Sequence, residues 1–317
     1  MYKKARSLIF KKTKELNISY LIWSLFRGVL VTGICYIILF PLLVQISNSF
    51  MREVDLFDTT VQWIPRVISL ENYIVVWEAM DYPRSFLNSL QLSSIITILQ
   101  LFSATLVGYG LARYDFPFKN VVFAFVIFTL IVPAQTIMIS LYLNFRFFDF
   151  FGLLPGGGFN LMNSYWPLVL MAFTGAGLRG GLFIFIMRQF FKGMPSQLEE
   201  AAYIDGAGPL QTFFRIMLPG AVPGLVVVVL FAFVWMWNDY QLVSTFFKNA
   251  NNLTLALANI QGGVEDVFEH YHRYTNPWAF TIYANAAMIL FIAPLLVLYG
   301  FLQRYFIESV QRTGIVG

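Results

Sequence analysis

Residues able to do chemistry are scarce in this chain and gather in three places. The first is the run 194–219, which sets Glu199, Glu200 and Asp205 beside the small residues Ala201, Ala202 and Gly206. The second is Arg179, a lone cation in an apolar stretch, flanked by Gly175, Gly177, Gly180 and Gly181. The third is Trp235, Trp237, Asn238, Asp239 and Tyr240, to which Asn88, Gln135 and Asn285 add polar groups elsewhere in apolar surroundings. Aromatic faces beside amides and a carboxylate suit sugars, whose C–H faces stack and whose hydroxyls need partners. Aromatic residues at a membrane interface have the same look, and helix–helix hydrogen bonding is the default for isolated amides. None of these groups forms a catalytic set. Glu269, His270 and His272 lack a clear third metal ligand and read as outer-loop surface. No serine sits in a nucleophile elbow, and no Gly-x4-Gly-Lys-Ser/Thr loop is present to cradle nucleotide phosphates. The chemistry on offer is binding and docking.

The elements that must position these residues lie in a bilayer. The chain has 317 residues, 58% of them hydrophobic and only 12% charged, where soluble domains carry about a quarter charged. Cys35 is the single cysteine and falls in the first apolar stretch, so no intramolecular disulfide forms. The net charge of +4 comes from basic residues beside apolar segments, which points to membrane orientation and not to nucleic acid. A spanning helix needs about 20 mostly apolar residues. Six stretches qualify, at 29–46, 86–109, 121–143, 166–187, 221–243 and 279–303. The first is longer than a usual signal core and no small-x-small cleavage pattern follows, so it reads as a retained helix.

Orientation follows from the basic residues. Lys3, Lys4, Arg6, Lys11, Lys12, Lys14 and Arg27 precede or open the first span, and Arg113, Lys119, Arg188, Lys192, Arg215, Arg304 and Arg312 fall on the same side. The other side holds fewer, among them Arg52, Arg66 and Lys248, and many acids. Both termini are therefore expected in the cytoplasm, with residues 1–28 as a basic flank, part of which (7–16) could instead form an interfacial helix.

The run 194–219 then lies between the fourth and fifth spans on the cytoplasmic side. Ser196 with Glu199 fits a capping box at the start of a short helix. Gly206 is placed to end that helix in a left-handed conformation. Pro209 suits the first position of a second helix, and Pro219 blocks extension into the next span. Such an elbow is either a docking plug for another protein or an amphipathic connector on the membrane surface. Helix signals alone leave both open.

The spacing Glu200-Ala201-Ala202, three residues, Gly206, nine residues, Ile216, one residue, Leu218-Pro219 resembles in full the cytoplasmic loop of permeases in ATP-binding-cassette importers. Gly108-Tyr-Gly-Leu-Ala-Arg113 with Phe116, Val132-Pro133, Trp237-Asn238-Asp239 and the tail ending in Gly314, Ile315, Val316 and Gly317 are similar to carbohydrate-importer permeases of this type, nearest to the smaller membrane subunit of the maltose importer. The resemblance runs from about residue 30 to the C-terminus. It implies an all-α integral membrane protein with six transmembrane helices, the type I importer fold, over 29–317, with residues 195–219 as a two-helix loop coupled to an ATPase. Glu199, Glu200, Ala201, Ala202, Asp205, Gly206, Ile216, Leu218 and Pro219 are the expected coupling residues.

The resemblance also implies partners: a second permease, a different chain on this likeness, two copies of a cytoplasmic ATPase, and an extracytoplasmic solute-binding protein, all set in the lipid of a bacterial inner membrane. This chain would be no enzyme and bind no cofactor, ATP and Mg being held by the ATPase. Arg179, Trp237, Asn238, Asp239, Tyr240, Asn88 and Asn285 are expected along the pathway, although Arg179 reads equally as a structural partner of an acid such as Asp239. A polyol, glycerol phosphate or another polar solute is the alternative cargo. An ion-coupled secondary transporter is the rival mechanism, since span number and composition alone permit it.

Overall fold

The computed structural model describes residues 18–150, 152, 158–248, 250–274 and 276–313, with 18 and 305–313 described by their backbone alone. The expectations for residues 1–17 and for the tail at 314–317 lie outside the described residues.

Backbone amides in lipid must find partners within their own segment, so the apolar runs become helices. The described residues form α1 (Ile18–Ser49), α2 (Glu53–Leu56), α3 (Glu71–Ala79), α4 (Tyr82–Arg113), α5 (Lys119–Ile131), α6 (Ala134–Arg146), α7 (Trp166–Phe173) and α8 (Gly180–Gly193). There follow α9 (Gln197–Ile204), α10 (Pro209–Gly220), α11 (Val222–Trp237), α12 (Tyr240–Phe246), α13 (Leu253–Ala258), α14 (Ile260–His270) and α15 (Phe280–Thr313). Three helices are continuous, long and apolar enough to cross a bilayer: α1, α4 and α15, with up to five spans if two bent pairs are each counted as one. Residues 18–28, expected as flank, already belong to α1.

Three of the expected spans are interrupted. Residues 121–143 are not one helix: α5 and α6 meet at 104° across Val132 and Pro133. Proline lacks an amide hydrogen and disfavours helical backbone at the residue before it, and Val132 is extended. Residues 166–187 divide into α7 and α8 around 174–179, where Gly175 takes φ +73° and a Cβ on Gly180 would collide with the Gly175 carbonyl oxygen. The stretch 221–243 likewise ends at Trp237, and a new helix starts after Asp239.

Helix α4 is the axis against which α7, α8 and α11 pack. Its buried face repeats small hydroxyl residues at every fourth position, Ser85, Ser89, Ser93 and Thr97, which lets neighbours approach closely where packing, not escape from water, drives association. Toward its C-terminal end, a Cβ on Gly108 would lie 2.7 Å from Met187 Cβ and 2.9 Å from the Arg188 amide of α8, so the two backbones touch there. One core cluster joins α3, α14 and α15 around Val76, Val264 and Ala286. A second joins α4, α6, α7 and α12. The third, at the end that carries the 195–219 elbow, is built on Tyr109, Met187, Phe191, Phe213 and Met217.

Candidate functional site

Helix α9 opens at Ser196, yet the capping box does not form: Ser196 has helical dihedrals and its side chain makes no cap hydrogen bond. The reason is long-range. Glu199 is turned inward and buried, accepting a 2.7 Å hydrogen bond from the Tyr109 hydroxyl through Oε1. Its Oε2 lies 3.1 Å from Arg113 Nε in an ion pair too bent to count as a hydrogen bond. Arg113 Nη2 donates to the Met194 carbonyl at 2.6 Å. Two residues one helical turn apart on α4 therefore clamp the elbow from both ends of its entry. A carboxylate bound this way cannot also reach the Ser196 amide.

The C-terminus of α9 follows the sequence reading. Gly206 takes φ +81°, its amide donates to the Tyr203 carbonyl at 3.1 Å, and the Ala207 amide donates to the Ala202 carbonyl at 2.9 Å. This paired closure satisfies carbonyls the helix end would strand. Gly208 is extended and Pro209 starts α10, which passes through a π-helical turn at Phe213–Met217 and bends 73° into α11 just past Pro219.

The nine elbow residues thus divide by environment. Glu199 and Ala202 are buried, and Ile216 and Leu218 pack on the third core cluster, so these four hold the elbow to the bundle. Glu200, Ala201, Asp205, Gly206 and Pro219 are exposed. Around them stand apolar side chains that no described residue covers: Tyr203, Ile204 at 85% exposure, Leu210 at 75% and Phe214. The Tyr203 hydroxyl is held above the usual phenol range, first by partial desolvation and then by the neighbouring Tyr114 and Glu199, so it remains a neutral donor.

Arg179 lies in the break between α7 and α8. Its Nη1 donates to Asp239 Oδ2 at 2.9 Å, and its guanidinium sits 5.1 Å from the Trp235 ring centre. Asp239 is buried, and its Oδ1 caps α12 by accepting from the Leu242 amide at 2.9 Å. The pair joins the two interrupted segments, α7 to α8 and α11 to α12, across the bundle. Because the arginine side chain is 43% exposed, its bond is worth less than a buried one. We expect Arg179→Gln to lower stability by about 1–2 kcal/mol with substrate preference unchanged, read from thermal unfolding and competition uptake. A changed preference in a normally assembled protein would place Arg179 in the pathway.

Trp237 is fully buried, stacked on Phe233 and edge-on to Phe86, with its indole N–H donating to the Phe291 carbonyl at 3.3 Å. In this structure it is a core residue. Asn238 is exposed and donates to the Val234 carbonyl. Asn285 is half-buried in α15 and Gln135 is exposed in α6. Tyr240 opens onto a recess of about 480 Å³ that also meets Asp81, Lys248, Asn251 and Asn259. Asn88 borders this region, donating to the Asn251 carbonyl at 2.6 Å, while Asn251 Nδ2 donates to Asp81 Oδ2 at 3.2 Å. The sequence reading missed Tyr109 as a partner of Glu199, and it missed the serine stripe of α4. The stripe is legible as an i, i+4 repeat of small residues; the tyrosine contact spans ninety residues and leaves no local mark.

Comparison with known proteins bears on the whole of this architecture. Residues 104–312, well over half of the chain, match the family described as binding-protein-dependent transport system inner membrane component. The chain is 31% identical over 253 residues to a probable ABC transporter permease protein of Pyrococcus horikoshii, covering 78% of this chain and 81% of that one. It is 29% identical over 288 residues to the arabinooligosaccharides transport system permease protein AraQ of Halalkalibacterium halodurans, covering 90% and 93%. In three dimensions it superposes with a TM-score of 0.71 on a chain of a bacterial ABC transporter involved in the import of the acidic polysaccharide alginate, at 21% identity over 91% of this chain and 98% of that one. That likeness shows a shared fold, and the family match extends through the elbow and the helices that follow it: the protein belongs to the binding-protein-dependent inner membrane components, the permease subunits of ABC importers.

Proposed function

We propose that this permease imports a sugar or oligosaccharide and that residues 195–219 are its grip on the ATPase. The observation that carries the coupling role is the elbow itself. A short helix with an exposed face of Glu200, Ala201, Tyr203 and Ile204 is clamped at its root to α4, so force on the exposed face reaches the longest buried helix of the bundle. The ATPase would hold ATP and Mg; this chain carries no phosphate loop. Closure of a nucleotide-bound ATPase pair must favour one permease conformation over the other for such a machine to work.

The carbohydrate reading is supported by relatives whose names specify arabinooligosaccharides and melibiose, raffinose and stachyose. It is supported too by the Tyr240 recess, which pairs an aromatic face with amides and charges. We read the architecture as six spans, the third bent at Pro133 and the fourth interrupted at 174–179, with both termini cytoplasmic and the recess at the outer mouth. A second permease of different sequence completes the pathway, two ATPases sit below, and a solute-binding protein delivers cargo from outside. The test of this reading is uptake of labelled sugar by cells carrying the assembled importer. We expect uptake to survive an uncoupler and to stop on ATP depletion, and the sugars taken up to be those bound by the companion binding protein. Uptake that follows the ion gradient would sink it.

A further inference from the structure

At the end of the bundle that carries the elbow, the short connection from α4 to α5 and the last turns of α8 enclose a recess of about 380 Å³. Its walls carry Lys119, Arg188 and Lys192, with Asn120 between them. The one acid on its rim, Asp115, is fully exposed and holds Lys119 at 3.0 Å. Exposed ion pairs of this kind contribute little, so Lys119 is free to exchange partners. Among the described residues Arg188 has no carboxylate partner: its guanidinium carbon lies over the Phe123 ring at 3.8 Å from the centre, and its Nε is buried without a hydrogen bond. A buried guanidinium nitrogen left unpaired is costly and calls for an acceptor.

The backbone adds further donors. Phe118 takes φ +64° and leaves the N-terminus of the thirteen-residue α5 without a side-chain cap. The amides of Asn120 and Val121 make no hydrogen bond among the described residues. Cations, an unsatisfied guanidinium nitrogen and free first-turn amides around one small recess are the donor set for a phosphate.

What lies beside the recess identifies the source of that phosphate. From its edge the outer face of α5 runs on as Val121, Val122, Phe125 and Phe128, all exposed and apolar, and Phe118 stands 78% exposed at the rim. A free anion has no use for this strip, whereas acyl chains would lie along it. We propose that the recess binds the phosphate headgroup of an anionic phospholipid, held by Arg188, Lys192 and Lys119 with its chains against α5. The proposal rests on the membrane setting of the protein and not on how the elbow engages the ATPase. Since the recess shares α4 and α8 with the Arg113 and Met194 clamp, a bound lipid would brace the root of the elbow.

The assembled importer, purified in neutral detergent, can be titrated with phosphatidylglycerol or phosphatidylcholine and bound lipid counted by native mass spectrometry. Phosphatidylglycerol should be retained by the unaltered protein. It should be weakened about tenfold or more in Arg188→Gln/Lys192→Gln, at roughly a factor of five per cation lost near a membrane surface. Arg27→Gln, which removes one positive charge from α1 outside the recess, as Lys192→Gln does within it, should retain lipid as the unaltered protein does. Should the double variant fail to assemble, Lys192→Gln alone, at an exposed position, should still show the smaller loss. Equal retention of phosphatidylcholine, unchanged retention by both recess variants, or absence of lipid from the assembled importer would overturn the proposal. Displacement of phosphatidylglycerol by equimolar inorganic phosphate would overturn the lipid source and leave a free-anion site.

Discussion

Replacing Gly206 by proline should reduce substrate uptake by about a hundredfold while the permease still inserts in the membrane. Proline fixes φ near about −65°, and Gly206 needs φ +81°. Proline also removes the amide that donates to the Tyr203 carbonyl. A loss on the order of 3 kcal/mol at the joint between α9 and α10 corresponds to that factor. A graded series separates conformation from bulk, because a Cβ at this position meets nothing within 4 Å. Asparagine tolerates left-handed backbone better than alanine does, so uptake should fall in the order Gly206→Asn, Gly206→Ala, Gly206→Pro. ATP hydrolysis measured in the same vesicles should lose its response to loaded binding protein in parallel. Normal uptake by Gly206→Pro would mean that the shape of the elbow does not matter to transport.

The second large effect is expected at Glu199, a buried position at the root of the elbow. Removing one member of a buried charge pair costs about 3–5 kcal/mol because the other is left uncompensated, and both side chains here are nearly enclosed, at 11% and 13% exposure. Glu199→Ala should destabilise the permease by roughly that amount, read as a lowered Tm of the assembled complex. Tyr109→Phe removes one hydrogen bond and should cost about 1 kcal/mol. The clamp reading makes a further claim that stability alone does not test: Glu199→Gln, which keeps the shape, should raise ATP hydrolysis in the absence of binding protein while uptake drops. If Glu199→Gln lowers Tm and leaves the ratio of ATP used to substrate imported untouched, the residue is structural only.

These two positions also show what a sequence can and cannot disclose. Gly206 is legible because helix termination is local: a glycine after an apolar turn and a proline three residues on specify the backbone within a few residues. Glu199 misleads for the opposite reason. The Ser196 and Glu199 spacing satisfies a local rule, but the carboxylate is taken by Tyr109 and Arg113 from a distant helix. Helices α4 and α15 are legible from length and hydropathy alone, whereas the broken spans are not. Val132 and Pro133 and the four glycines around Arg179 are visible, yet apolar composition on both sides makes each stretch look continuous. Arg179 and Asp239 remain two open readings until the bundle brings them within 2.9 Å, because the residues between these positions, sixty apart in sequence, carry no trace of the contact.

Among the exposed elbow residues, Ala201 offers the most direct probe of the central claim, since a small side chain there sits on the face assigned to the ATPase. With Cys35→Ser as background, Ala201→Cys can be labelled by a membrane-impermeant maleimide in intact cells, in inverted vesicles, and in inverted vesicles stripped of ATPase. The account predicts no labelling from outside, weak labelling in inverted vesicles and strong labelling once the ATPase is removed. Labelling in intact cells, or labelling in vesicles that is indifferent to the ATPase, would contradict it.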